Sequence, residues 1–131
     1  MPGKFLFDTN VIISFLNDDK LRPSSVQLDI TFIISVITEL ELLSSNKLTK
    51  REEKAVNDLL AETFIIGIEA DIKTKTIMLR RKYGLKLPDA LIAASAIIHK
   101  VPLVSDDKIF KKVKELKLIT IKDFLKSEID K

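Results

Sequence analysis

The stretch Phe5-Leu6-Phe7-Asp8-Thr9-Asn10-Val11-Ile12 decides the fold. Its first three residues form a short apolar run that is typical of a buried strand, and Asp8 to Asn10 form a polar turn. From Val11 onward, apolar residues recur at helical spacing. A strand that leads directly into a helix is half of a crossover unit. The stretch therefore predicts a parallel sheet with an acidic residue at the carboxyl end of its first strand.

The same alternation of strand and helix continues along the chain. Strand-like runs lie at residues 32–35, 64–66, 101–104 and 118–120, and helical patterns lie after residue 35, at 50–61, 69–83 and 89–98, in a lysine-rich segment after Asp107, and from Asp123 onward. Thr49 and Glu52 predict a capping box, Gly84 predicts a helix end, and Pro23-Ser24-Ser25 interrupts the first helical pattern. We expect a three-layer α/β/α fold with a central, mostly parallel sheet.

Composition limits the protein to a few broad classes. The 131 residues are enough for one hydrophobic core, so we expect a single domain over residues 1–131. The absence of cysteine excludes disulfides, thiolate metal sites and a cysteine nucleophile. No stretch approaches the roughly 20 apolar residues of a membrane span, and the first residues do not form a signal peptide. These features predict a cytoplasmic protein without a membrane partner.

Several acidic residues are expected at one edge of the sheet. Asp8 follows the first strand, and Asp106 and Asp107 follow the strand that ends at Val104. Ligands of open α/β sheets bind at this carboxyl edge. Asp89 and Glu41 each lie near the start of a helix that opens toward the same edge. Spacing alone leaves two choices open. Either Glu39 or Glu41 could be the glutamate of the site, and either Asp106 or Asp107 could be its last aspartate.

Converging carboxylates repel one another, so such a cluster predicts a bound cation. A site made only of oxygen ligands favours Mg²⁺ or Mn²⁺ over zinc. A metal held this way can promote attack of water on a phosphodiester. His99 is the only histidine, which excludes two-histidine and triad mechanisms, and we expect it to be structural. Each acid taken singly could instead be a helix cap.

Two basic clusters could contact a phosphate backbone. They comprise Lys73, Lys75, Arg80, Arg81, Lys82 and Lys86 in one region, and Lys108, Lys111, Lys112 and Lys114 in another. The alternative is that they are the solvated faces of amphipathic helices. In that alternative the apolar residues of the first cluster's helix, Ile72, Ile77, Met78 and Leu79, face inward. For any single lysine the second interpretation is favoured.

Four motifs in this order resemble the PIN domain family, and within it the small VapC-type toxins. The motifs are Phe7-Asp8-Thr9-Asn10-Val11-Ile12-Ile13, residues 35–43 (SVITELELL), residues 87–94 (LPDALIAA) and residues 103–110 (LVSDDKIF). The resemblance selects Glu41 over Glu39 and Asp107 over Asp106. Ser105 stands where the family usually has threonine, and Ile109 stands where an acid is frequent.

The resemblance implies a PIN fold and Mg²⁺- or Mn²⁺-dependent endonucleolytic cleavage of RNA. It implies four catalytic residues, of which all but Glu41 would bind the metal: Asp8, Glu41, Asp89 and Asp107. Thr9, Asn10 and Ser105 would support the site by polar contacts. It also implies a small antitoxin partner that inserts into the acidic groove, and a possible homodimer.

Three other functions are compatible with parts of this sequence. A housekeeping RNA-processing PIN nuclease and a non-catalytic RNA-binding PIN module both keep the fold. A phospho-receiver domain is less well supported, because only one acid follows Phe5-Leu6-Phe7 and no aspartate follows Phe64-Ile65-Ile66.

Overall fold

The computed structural model describes residues 3–18 and 29–128, so the interruption expected at Pro23-Ser24-Ser25 lies outside the described residues. The described part contains one five-stranded sheet, formed by β1 (Lys4–Phe7), β2 (Thr31–Ser35), β3 (Phe64–Ile66), β4 (Leu103–Val104) and β5 (Leu118–Ile119). The strand order is β3-β2-β1-β4-β5, and every pair is parallel. The predicted parallel sheet is confirmed.

Within residues 3–18 and 29–128, six α-helices connect and follow these strands: α1 (Thr9–Asn17), α2 (Val36–Leu43), α3 (Lys50–Leu60), α4 (Ala70–Tyr83), α5 (Leu87–Ile98) and α6 (Ile121–Glu128). Local chemistry fixes several of their ends. Thr49 and Glu52 form the predicted capping box at the start of α3. Gly84 ends α4 in the left-handed conformation, with φ of 69°, which glycine adopts without steric cost.

The core occupies both faces of the sheet, because successive side chains of a strand point to opposite sides. Leu6 packs on one face with α4 and α5, and Phe5 and Phe7 pack on the other with α1 and α6. On that second face the Phe124 ring meets the rings of Phe5 and Phe7 edge-on, with centroids 5.0 and 5.2 Å apart. These two packed faces confirm the three-layer α/β/α class.

Helix α5 lies in the middle of the first face. Its residues Ala90 to Ala96 are all buried, as the nearly continuous apolar sequence predicts. His99 ends this helix, and its Nε2 lies 2.7 Å from Oε1 of Glu69 at the surface. The structural role expected for His99 fits this position.

Two details differ from the sequence-based expectations. The lysine-rich segment after Asp107 is a five-residue 3-10 helix, Lys108–Lys112, and not an α-helix. Helix α6 begins at Ile121 and not at Asp123. Oδ1 of Asp106 accepts a 2.8 Å hydrogen bond from the Ile121 amide, which fixes the earlier start.

The expectation that all four apolar residues of α4 face inward is wrong for two of them. Ile72 and Leu79 are buried, but Ile77 is 52% exposed and Met78 is 50% exposed. The buried positions Ile72, Thr76 and Leu79 follow the spacing of one helix face. Residues 77 and 78 fall one and two positions past Thr76, about 100° and 200° around the helix, and so point away from the sheet.

Among residues 3–18 and 29–128, no helix combines the length and the apolar character needed to cross a membrane.

Candidate active site

The carboxyl ends of β1 and β4 bring Asp8 and Ser105 together. The Asp8 amide donates to the carbonyl of Val104 at 3.1 Å, which continues the pairing of the two strands to the sheet edge. Ser105 is the next residue after β4, and its hydroxyl donates a 2.7 Å hydrogen bond to Oδ2 of Asp8. Asp8 is only 6% exposed, so the sheet edge holds a buried carboxylate.

Burial is the main influence on the protonation of Asp8. Loss of solvent raises the pKa of its carboxyl, and the charge of Asp107 raises it further. The Ser105 hydroxyl and the amides of Thr9 and Asn10 oppose this effect by favouring the ionised form. The net pKa lies above its ordinary value, so the carboxylate stands in an environment that is unfavourable to its own charge.

Asp89 lies in the first turn of α5 and faces the same edge. Its pKa is raised, first by partial burial and then by the charges of Asp107 and Asp8, with a smaller contribution from Glu41. Lys86 acts in the opposite direction but does not cancel the rise. The charges of Asp107, Asp8 and Glu41 therefore all act on Asp89, while the catalytic role of each acid stays a prediction.

Glu41 is held in this group by a chain of two hydroxyls. Thr9 Oγ1 donates to Oε1 of Glu41 at 2.8 Å and lies 2.9 Å from Oγ1 of Thr38. A hydroxyl has one proton, so Thr38 must be the donor to Thr9. The structure thus directs Glu41 toward the other acids, which agrees with its selection over Glu39. Thr9, expected as a supporting residue, makes the contact.

Thr38 is a functional candidate that the sequence analysis missed. Its side chain is fully buried, and it lies on α2 one turn before Glu41. Residues three apart share a helix face, so the spacing of Thr38 and Glu41 is the signal that could have identified it.

Asp106 and Asp107 have different surroundings. The Asp107 amide donates to the Ser105 hydroxyl at 3.0 Å, and its Oδ1 accepts from the Ile109 amide, capping the 3-10 helix. Asp107 is also the residue whose charge acts on Asp8 and Asp89. Asp106 instead anchors α6 through Ile121. This division agrees with the selection of Asp107.

A cleft of about 280 Å³ opens beside these groups. Asp8, Asp106 and Asp107 lie in its wall together with Asn10 and Ser14, whereas Glu41 lines a separate cleft of about 210 Å³. Asn10 is exposed, at the start of α1. The expected supporting residue therefore lies at the rim of the cleft, where its amide can reach a bound molecule.

The donor chemistry of the cluster suits a hard divalent cation, because all four groups are carboxylates and the charge of Asp107 raises the pKa of both Asp8 and Asp89. Within the described parts of the chain, none of the four acids lies within ion-pair distance of a basic side chain. In the positions seen here, no three acidic or histidine side chains of residues 3–18 and 29–128 converge tightly enough to hold one metal ion together.

The sequence pattern of the PIN domain family matches residues 5–116. The chain therefore belongs to the PIN domain family. Within that family its fold is of the VapC type, as the neighbouring structures show, and this confirms the resemblance carried by the four motifs. No curated protein sequence matches the chain at a significant level.

Solved structures of toxin-antitoxin complexes are similar over most of their length. VapBC2 from Rickettsia felis, bound to a DNA fragment from its promoter, matches with a TM-score of 0.78 and 24% identity, covering 89% of this chain and 98% of that chain. A toxin-antitoxin complex from Klebsiella pneumoniae matches with a TM-score of 0.72 and 30% identity, covering 88% of this chain and 96% of that chain. DNA-bound VapBC from Salmonella typhimurium matches with a TM-score of 0.77 and 17% identity, covering 91% of this chain and 98% of that chain.

Proposed function

We propose that the chain is a Mg²⁺-dependent endoribonuclease and the toxin of a type II toxin-antitoxin pair. The observation that carries the proposal is the electrostatic coupling of Asp8, Glu41, Asp89 and Asp107 at the carboxyl edge of the sheet. Uncompensated carboxylates are costly unless they serve a ligand. Membership of the PIN domain family supports the assignment to nucleases.

Asp8, Asp89 and Asp107 are the residues that would hold the ion, with Mn²⁺ as the alternative to Mg²⁺, and binding would have to draw their carboxylates closer together than they lie without it. When bound, such an ion neutralises the carboxylates and stabilises charge that develops on a phosphodiester. Ser105 has a defined part in this arrangement. By donating to Asp8 it favours the ionised form of that carboxylate and fixes its orientation.

Glu41 would accept a proton from an attacking water. It is exposed, and Thr9 fixes its Oε1, which leaves Oε2 available. Asn10 at the rim can donate its amide to a phosphate oxygen. The chain's own groups thus orient the acids, receive a proton and contact the substrate backbone.

An antitoxin partner and a homodimer are part of the proposal. The similar structures from Rickettsia felis and Klebsiella pneumoniae are toxin-antitoxin complexes. A partner that inserts arginine or lysine among four carboxylates would form charge-assisted hydrogen bonds and neutralise the site. The cytoplasm is the proposed location of both partners.

Three single variants test the chemistry. Asp8→Asn and Asp89→Asn should each lower Mg²⁺-dependent cleavage of a structured RNA by about 100-fold or more, because each removes a charged ligand. Asp71→Asn is the matched control, since Asp71 lies at the start of α4 outside this cleft and its retained Oδ1 can still accept from the Ile72 amide. It should cleave at nearly the wild-type rate. Wild-type cleavage by both site variants would refute the proposal.

Expression in growing cells separates the toxin from its alternatives. A toxin should arrest growth, and co-expression of a small antitoxin from the neighbouring reading frame should relieve the arrest. Cleavage without growth arrest would favour a housekeeping RNA-processing nuclease. RNA binding without cleavage at any divalent ion concentration would favour a non-catalytic RNA-binding PIN module.

A further inference from the structure

A second cleft lies at the opposite edge of the sheet from Asp8. The strands are all parallel, so their amino ends meet there. The cleft has a volume of about 540 Å³ and is lined where β1 begins and where the chain enters β4 and β5. Four of its lining residues are basic, Lys4, His99, Lys100 and Lys117, and no acidic residue of the described chain lines it.

The charge of this cleft is unusual for the chain as a whole. The sequence has 22 lysine and arginine residues against 19 aspartate and glutamate residues, so a random surface would mix both signs. Lys4, Lys100 and Lys117 are in no ion pair within the described residues. Glu69 offsets His99 but is not part of the lining. Three unpaired lysines around one hollow create a field that attracts anions.

Lys100 stands at a backbone position that normally takes glycine. Its φ is 56°, in the left-handed region. The Lys100 amide donates to the carbonyl of Ile97 and the Val101 amide to that of Ala96, which is the Schellman ending of a helix. At the end of α4 the same chain uses Gly84. A lysine in this conformation is sterically unfavourable, which points to a use for its side chain.

We propose that this cleft, formed around Lys4, Lys100 and Lys117, binds the phosphodiester backbone of the RNA at a point remote from the carboxylates. The inference rests on the proposed ribonuclease function and adds a second contact for its substrate. Strand β1 has four residues and spans about 13 Å between the two edges. RNA must pass over the helices that cover the sheet, and about 20 stacked nucleotides extend over roughly 68 Å, so one RNA strand is long enough to reach both clefts.

Direct binding measurements test the inference independently of cleavage. Lys100→Gly is made in an Asp89→Asn background, and fluorescence anisotropy follows binding of a single-stranded RNA of about 20 nucleotides as salt is varied. We expect affinity to fall by roughly 3- to 10-fold at low salt and the slope of log K against log salt to decrease by about 0.7. Adding Lys4→Gln and Lys117→Gln should decrease the slope by about 2 in total.

Lys100→Gly also controls for folding. Glycine adopts this φ without strain, so the melting temperature should rise, by about 3 °C, while RNA binding weakens. A matched charge control removes three basic residues that do not line the cleft, as Lys47→Gln, Lys50→Gln and Arg51→Gln together. This control should change the slope much less than the cleft triple variant.

Two results would overturn the inference. The first is a variant with Lys4→Gln, Lys100→Gly and Lys117→Gln that binds RNA with the same affinity and the same salt slope as the protein with these lysines intact. This result is expected if the lysines bind another anion, such as an acidic protein segment. The other is an equal loss in the charge control, which would show general attraction only. Failure of the wild-type chain to cleave RNA would instead refute the proposed function, and the binding comparison would still stand.

Discussion

The Ser105 hydroxyl donates a 2.7 Å hydrogen bond to Oδ2 of Asp8, a residue 97 positions away in the sequence. The same hydroxyl oxygen accepts from the Asp107 amide at 3.0 Å. One buried side chain therefore positions two of the four acids and ties the end of β1 to the loop after β4. Its loss should affect the protonation of Asp8 before it affects the fold.

Replacing Ser105 with alanine should make cleavage more sensitive to acid. The Ser105 hydrogen bond lowers the pKa of Asp8, so the pKa should rise further without it. The acid limb of the pH–rate profile, along which activity is lost as Asp8 is protonated, should then move to higher pH. One hydrogen bond of about 1 kcal/mol corresponds to roughly a five-fold loss of rate at slightly acid pH. The loss should diminish at alkaline pH.

Ser105→Thr is the control for this shift, because it keeps the hydroxyl. Its pH–rate profile should overlay that of the wild type, and both variants should melt cooperatively in a circular dichroism scan. Ser105→Ala could instead lose the same fraction of its rate at every pH, with the acid limb at its wild-type pH. That result would show that Ser105 does not act through Asp8.

Asp89→Asn should stabilise the fold at neutral pH while abolishing activity. The pKa of Asp89 is raised above its ordinary value of 3.8, so the folded chain binds its proton more tightly than the unfolded chain. Stability contributed by this group therefore falls as pH rises through the raised pKa. Removing the charge should increase the free energy of unfolding at pH 7 by roughly 0.5 kcal/mol, the scale of like-charge repulsion near a surface.

The gain should disappear below about pH 3.8, where the wild-type carboxyl is protonated in both states. Asp123→Asn supplies the contrast. Asp123 and Asp89 both lie in the first turn of a helix, where a negative charge is favourable. At Asp89 the repulsion from Asp107 and Asp8 outweighs this benefit, so only the removal of Asp123 should lower stability slightly at pH 7. Urea unfolding at pH 7 and below about pH 3.8 measures the free energy of unfolding of both variants. A destabilised Asp89→Asn at pH 7 would contradict the repulsion described for the site.

Divalent ions should stabilise the folded chain through the same acids. A ligand that binds only the folded state at 100 times its dissociation constant contributes about 2.7 kcal/mol, so Mg²⁺ or Mn²⁺ should raise the melting temperature. The double variant Asp8→Asn with Asp89→Asn should lose this response. NaCl at matched ionic strength is the control for screening. An undiminished Mg²⁺ response in the double variant would place the ion elsewhere.

Much of this arrangement could be predicted from local sequence. An apolar run that ends in Asp8 and leads into a helix specifies a parallel strand with an acid at its carboxyl edge, and the structure has both. The capping box at Thr49 and the helix end at Gly84 are also local, and both predictions are confirmed.

Tertiary contacts decided what local sequence could not. Asp106 and Asp107 are adjacent and chemically identical, and tertiary contacts separate their roles. Asp106 accepts from the amide of Ile121, 15 residues further on, whereas the charge of Asp107 acts on Asp8 and Asp89. Ile77 and Met78 are as apolar as their neighbours, yet the sheet covers only one face of α4 and leaves them exposed. Thr38 escaped notice because its partner Thr9 lies on another helix, 29 residues away.

Thr38→Val should lower cleavage without unfolding the protein, because valine matches the shape of threonine but cannot donate to Thr9. Thr9 would then be free to rotate, and Glu41 would lose the contact that orients it. We expect a rate loss of roughly ten-fold, with Thr38→Ser restoring most of it. Thr76→Val is the matched control, since Thr76 is equally buried but donates to the carbonyl of Ile72 within α4. If the two valine variants lose activity equally, Thr38 affects the fold and does not position Glu41.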